Sequence, residues 1–202
     1  CRRARPSFGV WGGSYWVGRA VGGRRAMISL RHSAATSAMS GELIGEDSIF
    51  HGVSTDSREV RSGELFFALK GEQFDGHDMC ESAVQKGAAA CVVEREVSIS
   101  KPHIKVPNTR LALGELARYW RMQHQTKLIG VTGSNGKTTT KEMLAAIFGG
   151  MGKVLATKGN FNNDIGLPKT LFELSEEHEF CVIEMGANHI GEIAQLAGIA
   201  KP

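Results

Sequence analysis

The apolar pattern falls into short runs separated by turn-rich stretches. From Met27 onward it predicts a helix over Leu30–Met39, then strand-like pieces at Gly52–Ser54 and Leu65–Leu69 with the turn-rich STDSREVRSGE between them. A helix is expected from His77 to Lys86, stopped by Gly87. AAACVVE then reads as a buried strand, and Pro102 and Pro107 as marks of a linker. A second block starts near Asn108. Thr109 is placed to cap a helix whose Leu111, Leu113, Leu116, Ala117 and Trp120 supply a packing face. A strand over Lys127–Thr132 follows, then a glycine loop, and a helix from Lys137 to about Phe148 ended by GGMG. Val154–Ala156 is a short strand, Pro168–Leu174 a helix, FCVIE (Phe180–Glu184) a buried strand, and GEIAQLAGIAKP a helix running into a further unit. Strands alternating with helices predict an α/β fold with a mostly parallel sheet.

Residues 1–26 break this pattern. They hold six Arg, six Gly and two Trp, no acid, and neither helical nor strand periodicity. They read as a disordered or artefactual leader, or a targeting segment, ahead of a natural start at Met27. The expected organisation is therefore a leader over 1–26, a small mixed α/β domain over 27–107, and part of a mostly parallel phosphate-loop domain over 108–202.

Composition adds bounds. The 202 residues are 42% apolar and 22% charged, ordinary for a globular protein. A net charge of +3, much of it in the leader, gives no reason to expect a nucleic-acid partner. No apolar run approaches the ~18 residues of a membrane helix, so no membrane partner is expected. Cys1, Cys80, Cys91 and Cys181 are scattered without metal spacing and suit buried thiols in a reducing cytoplasm.

The chemistry sits in KLIGVTGSNGKTTTKEM. The usual phosphate loop carries Gly five positions before its Gly-Lys-Thr. Here that position is Val131, and the shorter form from Gly133 to Gly136-Lys137-Thr138 fits instead. Loop amides from Thr132 through Gly133, Ser134, Asn135 and Gly136 to Thr139 can face phosphates. Lys137 can bridge the outer phosphates, and the Thr138 hydroxyl can bind Mg²⁺. Glu184 ends a buried strand, where an acid can hold the same metal. Read alone, the loop is also compatible with a plain glycine turn, and Glu184 with a solvated acid.

The neighbouring segments carry a resemblance. TGSNGKTTTKEM resembles the ATP loop of the Mur ligases, the ATP-dependent amide-forming enzymes of peptidoglycan synthesis, and GNFNNDIGLPKTLFEL resembles the segment that follows it. GVSTDSREVRSGELFFALKGEQFDGHDM is similar to their UDP-binding N-terminal domain. EMGANHIGEI is similar to the segment typical of the member that adds D-alanyl-D-alanine. The four motifs span nearly all of residues 27–202.

The resemblance implies a mechanism: ATP phosphorylates the terminal carboxylate of UDP-N-acetylmuramoyl-tripeptide, and the amine of D-alanyl-D-alanine displaces phosphate from the acyl phosphate. It implies Lys137 and Glu184 in catalysis, and ATP and Mg²⁺ as cofactors. Substrate contacts would come from Ser54, Asp56, Ser57, Arg58, Lys70, Gly76, His77, Asn160, Asn162, Asn163 and His189. A cytoplasmic monomer is expected. Turn-building by the Asn cluster, a structural role for His189 and a polar turn at STDSR stay open, while Phe66 and Phe67 read as core. Family members have three domains, so this chain would hold the first and about half of the second, and is expected not to ligate alone. Another Mur ligase specificity, a UDP-sugar-binding module with a degenerate loop, and a plain phosphate-loop ATPase or kinase are the competing readings. The block over 27–107 argues against the last of these.

Overall fold

A computed structural model describes residues 27–71 and 73–202; the expectations for the leader lie outside them. The first half contains β1 (Ser29–Arg31), α1 (His32–Ala38), β2 (Glu42–Ile44), β3 (Ile49–His51), β4 (Val53–Ser54) and β5 (Leu65–Phe67). A 3₁₀ turn (Gly76–Met79) leads into α2 (Cys80–Gln85), followed by β6 (Ala90–Val93) and β7 (His103–Lys105). These form a five-stranded sheet, β2-β7-β6-β5-β4, parallel except at β2/β7, and a separate antiparallel pair β1/β3.

The second half contains α3 (Thr109–Met122), β8 (Lys127–Val131), α4 (Lys137–Gly149), β9 (Val154–Ala156), α5 (Gly166–Leu171), β10 (Phe180–Glu184) and α6 (Glu192–Ala200). Its sheet, β8-β10-β9, is wholly parallel. All five residues of β10 are buried, as are all four of β6. A parallel strand covered on both faces is mostly apolar, which is why FCVI and ACVV read as unbroken runs and why the buried Glu184 at the end of β10 stands out. One apolar core runs through both halves, from Ile28, Phe50 and Phe67 to Leu113, Leu167 and Ile183. Phe66 and Phe67 are both buried core residues, as expected. Cys80, Cys91 and Cys181 are buried free thiols, and burial pushes the Cys181 thiol up to about 12.

Several expectations are corrected. The helix predicted from Leu30 begins only at His32, because Ser29–Arg31 pairs with Ile49–His51. Pro102 and Pro107 bracket strand β7 instead of a linker; both lie just outside it, where a missing N–H costs the ladder nothing. The predicted helix at Pro168–Leu174 is shifted to Gly166–Leu171. The helix expected from His77 opens as the 3₁₀ turn. The cap of α3 is Asn108, whose Oδ1 accepts from the Leu111 N–H at 2.9 Å. Thr109 instead donates its hydroxyl to the Ala68 carbonyl (3.2 Å) and to Glu94 (3.0 Å), tying α3 to the first half. Leu111 is 57% exposed, and the packing face runs through Ala112, Leu113, Leu116, Ala117 and Trp120.

Candidate nucleotide site

Strand β8 ends at Val131 and the chain turns through Thr132, Gly133, Ser134 and Asn135 into α4. Gly136 caps that helix at φ +74°, and Gly133 lies at φ +147°. Side-chain-bearing residues rarely adopt these angles, so the turn needs both glycines. A glycine cap has no side chain to occupy the first-turn amides, which remain available to an anion at the positive end of a 13-residue helix. Lys137 is half-buried, and its Nζ folds back to donate to the Gly133 carbonyl at 2.8 Å, holding the ammonium over the loop.

Opposite the loop, Glu184 ends β10 and is 3% exposed. Its Oε2 accepts from the Thr138 hydroxyl at 3.0 Å, and its Oε1 from the Asn162 amide at 3.0 Å. Among the described residues no cation pairs with this carboxylate; its partners are neutral donors. A buried carboxylate without a counter-charge is costly, and a bound divalent cation would relieve that cost. Two hard oxygen donors on facing elements fit Mg²⁺, which takes one or two protein oxygens and fills its shell with phosphate oxygens and water. The described residues contain no group of three or more His, Cys, Asp or Glu able to cage a metal by themselves.

The three asparagines divide. Asn162 reaches Glu184, and its close approach depends on Gly186, where a Cβ would stand 2.9 Å from the Asn162 amide. Asn163 builds the turn: its Oδ1 accepts from the N–H groups of Gly166 (2.8 Å) and Ile165 (3.2 Å) at the start of α5. Asn160 is exposed, and its carbonyl accepts from the Asn162 N–H at 2.7 Å. His189 is exposed in the segment before α6, where the Glu192 carboxylate accepts from the backbone N–H groups of Asn188 and His189. Two contributors carry no signal in sequence: Thr157, whose Oγ1 accepts from the Glu184 N–H at 2.9 Å, and the buried Lys141.

In the first half, the STDSR turn is internally braced. The Ser54 hydroxyl donates to the Asp56 carbonyl at 3.0 Å. The Asp56 carboxylate accepts from the Arg58 backbone N–H (2.9 Å), Nε (3.0 Å) and Nη2 (2.7 Å). Lys86 Nζ donates to the Ser57 and Arg58 carbonyls. The Arg58 side chain stays largely exposed while paired with this carboxylate. Its hydrogen bonds hold the Asp56 carboxyl at about 2, with Lys169 of α5 adding positive charge. A depressed folded-state pKa contributes stability that is present above the ordinary carboxylate range and lost as pH falls through about 2. A carboxyl NMR titration is therefore expected to place the Asp56 midpoint near 2, and Arg58→Ala to move it up toward about 3.9.

His77 is a framework residue. Its Nδ1–H donates to Asp75 Oδ1 at 2.5 Å and its Nε2 accepts from the Glu94 N–H at 2.8 Å, so both ring nitrogens are engaged and the ring is 6% exposed. Gly76 crosses the chain tightly, since a Cβ there would lie 2.5 Å from the Leu69 carbonyl. Lys70 is exposed and bridges Asp75 through the backbone. Lys70, Gly76 and His77 thus lie together where the chain crosses back on itself after β5.

Residues 49–121 match the Mur ligase family catalytic domain and residues 131–202 the Mur ligase middle domain. Among similar proteins, the UDP-N-acetylmuramoyl-tripeptide–D-alanyl-D-alanine ligase of Escherichia coli is 48% identical over 176 residues, covering 87% of this chain and 39% of that protein. The Bacillus subtilis ligase of the same name is 45% identical, over 78% of this chain and 35% of its own. A crystal structure of MurF from Acinetobacter baumannii superposes with a TM-score of 0.84 at 40% identity, covering 88% of this chain and 40% of that one. The ADP complex of MurF from Thermotoga maritima superposes at 0.69 with 39% identity, over 73% and 35% of the two chains. The chain thus spans about 40% of the length of the curated relatives it matches. With the glycine loop, the acid opposite it and the asparagine segment in one arrangement, and both halves matched in order, the chain belongs to the Mur ligase family.

Proposed function

We propose that this chain supplies the UDP-substrate and phosphate-binding parts of a cytoplasmic, monomeric ligase that joins D-alanyl-D-alanine to UDP-N-acetylmuramoyl-tripeptide with conversion of ATP to ADP. Two domains, 27–107 and 108–202, divide the work. The observation that carries the reading is the Thr138–Glu184–Asn162 contact set facing an open glycine loop. In it, the amides of Thr132–Thr139 receive the phosphates and Lys137 swings from the Gly133 carbonyl onto the phosphoryl group in transfer. Thr138 and Glu184 would hold Mg²⁺, which would supply charge neutralisation at the phosphates. Ser54, Asp56, Ser57 and Arg58 hold the UDP portion, with Lys70 near its wall. Asn160, Asn162 and His189 line the path of the tripeptide carboxylate. The chemistry needs positioning and charge neutralisation, and no protein nucleophile.

The test is a chimaera in which this chain replaces the matching 39% of the Escherichia coli ligase. ADP and phosphate release should require both UDP-N-acetylmuramoyl-tripeptide and D-alanyl-D-alanine. Release with another amino acid in place of the dipeptide would move the chain to a different specificity. A folded chimaera without release would sink the reading.

A further inference from the structure

Lys141 is 1% exposed, yet it lies on α4 one turn after Thr138. Lysines ordinarily bury their stems and keep the ammonium in water. Here the ammonium itself is enclosed, donating to the Thr157 carbonyl at 2.8 Å, with the Glu142 carboxylate 2.9 Å away on the solvent side. Thr157 is 2% exposed and clamped on β10 at two points: its N–H donates to the Val182 carbonyl (3.0 Å), and its Oγ1 accepts from the Glu184 N–H (2.9 Å). Glu184 then closes the circuit by accepting from Thr138. A continuous ring of bonded groups thus runs Thr138, α4, Lys141, Thr157, Glu184 and back to Thr138. Thr138 and Lys141 share a helix face because they are three residues apart.

We propose that Lys141 is a positioning residue for the cation site, fixing the separation of Thr138 and Glu184 through Thr157 without touching metal or nucleotide. The inference rests on the metal–nucleotide reading of that pair. The β8–β10 register, with Glu184 opposite Val131, sets the two elements side by side, and the ring fixes the final separation of their two oxygen donors. Burying an ammonium to anchor a helix would be a poor exchange for stability alone, since a buried ion pair is often no better than apolar packing.

The test reads metal affinity directly, with Mn²⁺ as a paramagnetic probe titrated into the full chain in the presence of ADP. Lys141→Met keeps the stem and removes the donor; Thr157→Val keeps the carbonyl and removes the hydroxyl. Each should raise the Mn²⁺ concentration for half-saturation about five- to tenfold, with ADP affinity in the absence of metal unchanged. The double variant should exceed the larger single by less than twofold, because both act on one chain of contacts. Half-saturation within twofold of wild type in a folded Lys141→Met chain overturns the inference, as does a fully multiplicative double variant. If Lys141→Met does not fold, Thr157→Val alone decides by the same criterion. If the unaltered chain binds no Mn²⁺ with ADP, the metal–nucleotide reading fails and this inference fails with it.

Discussion

Replacing Lys137 with Met in the ligating chimaera is expected to slow phosphate release by about 10²–10³-fold, the usual loss when one preorganised donor to a transition-state charge is removed. The ammonium is poised by a single 2.8 Å bond to the Gly133 carbonyl on an exposed loop, so little of the fold depends on it. The loss should therefore fall on kcat. KM for UDP-N-acetylmuramoyl-tripeptide should hold, because the proposed contacts of that ligand do not include Lys137. Steady-state kinetics separate the two. A raised KM at unchanged kcat would mean that Lys137 serves substrate binding instead.

Glu184→Gln should produce opposite effects on activity and stability. The side chain keeps its shape and an acceptor for the Thr138 hydroxyl but loses the charge. Activity is expected to drop at least about 10²-fold, as for loss of an electrostatic group at the reacting phosphate. Thermal stability should hold or rise, because a carboxylate 3% exposed among neutral donors is costly to bury. Gains in stability at the expense of activity are the expected mark of a functional group. A fall in midpoint would show instead that Glu184 is a structural acid satisfied by Thr138 and Asn162.

What the sequence revealed depended on length and on which partner held each group. Strand β10 was legible because its first four positions, Phe180 to Ile183, form an unbroken apolar run, and α4 because a strand–glycine–helix succession surrounds it. Strands β1, β2, β3 and β7 are three residues each, too short to show a period, and exist through pairing with distant segments. Asn108 and Thr109 are both good caps, and the choice turned on Glu94 and Ala68, which engage the threonine from the other half of the fold. The asparagine cluster could not be divided by composition. Gly186 draws Asn162 to the acid, while α5 takes Asn163. The motif residues Lys137, Thr138 and Glu184 were visible from spacing. Lys141 and Thr157 were not, because nothing in a TTTK or LATK tetrapeptide announces that its lysine or threonine is buried. The UDP reading of STDSR came from resemblance alone; the bracing of the turn by Asp56 and Arg58 carried no signal in the sequence.

In the proposed site Thr138 and Glu184 face a nucleotide's phosphates across a shared cation. Calorimetric titration of the full chain with ADP, with and without Mg²⁺, for wild type and Glu184→Gln, tests it most directly. Mg²⁺ is expected to tighten ADP binding at least about tenfold in the wild type, worth about 1.4 kcal/mol, and to leave ADP binding to Glu184→Gln unchanged. Equal Mg²⁺ dependence in the two proteins, or none in the wild type, would contradict it.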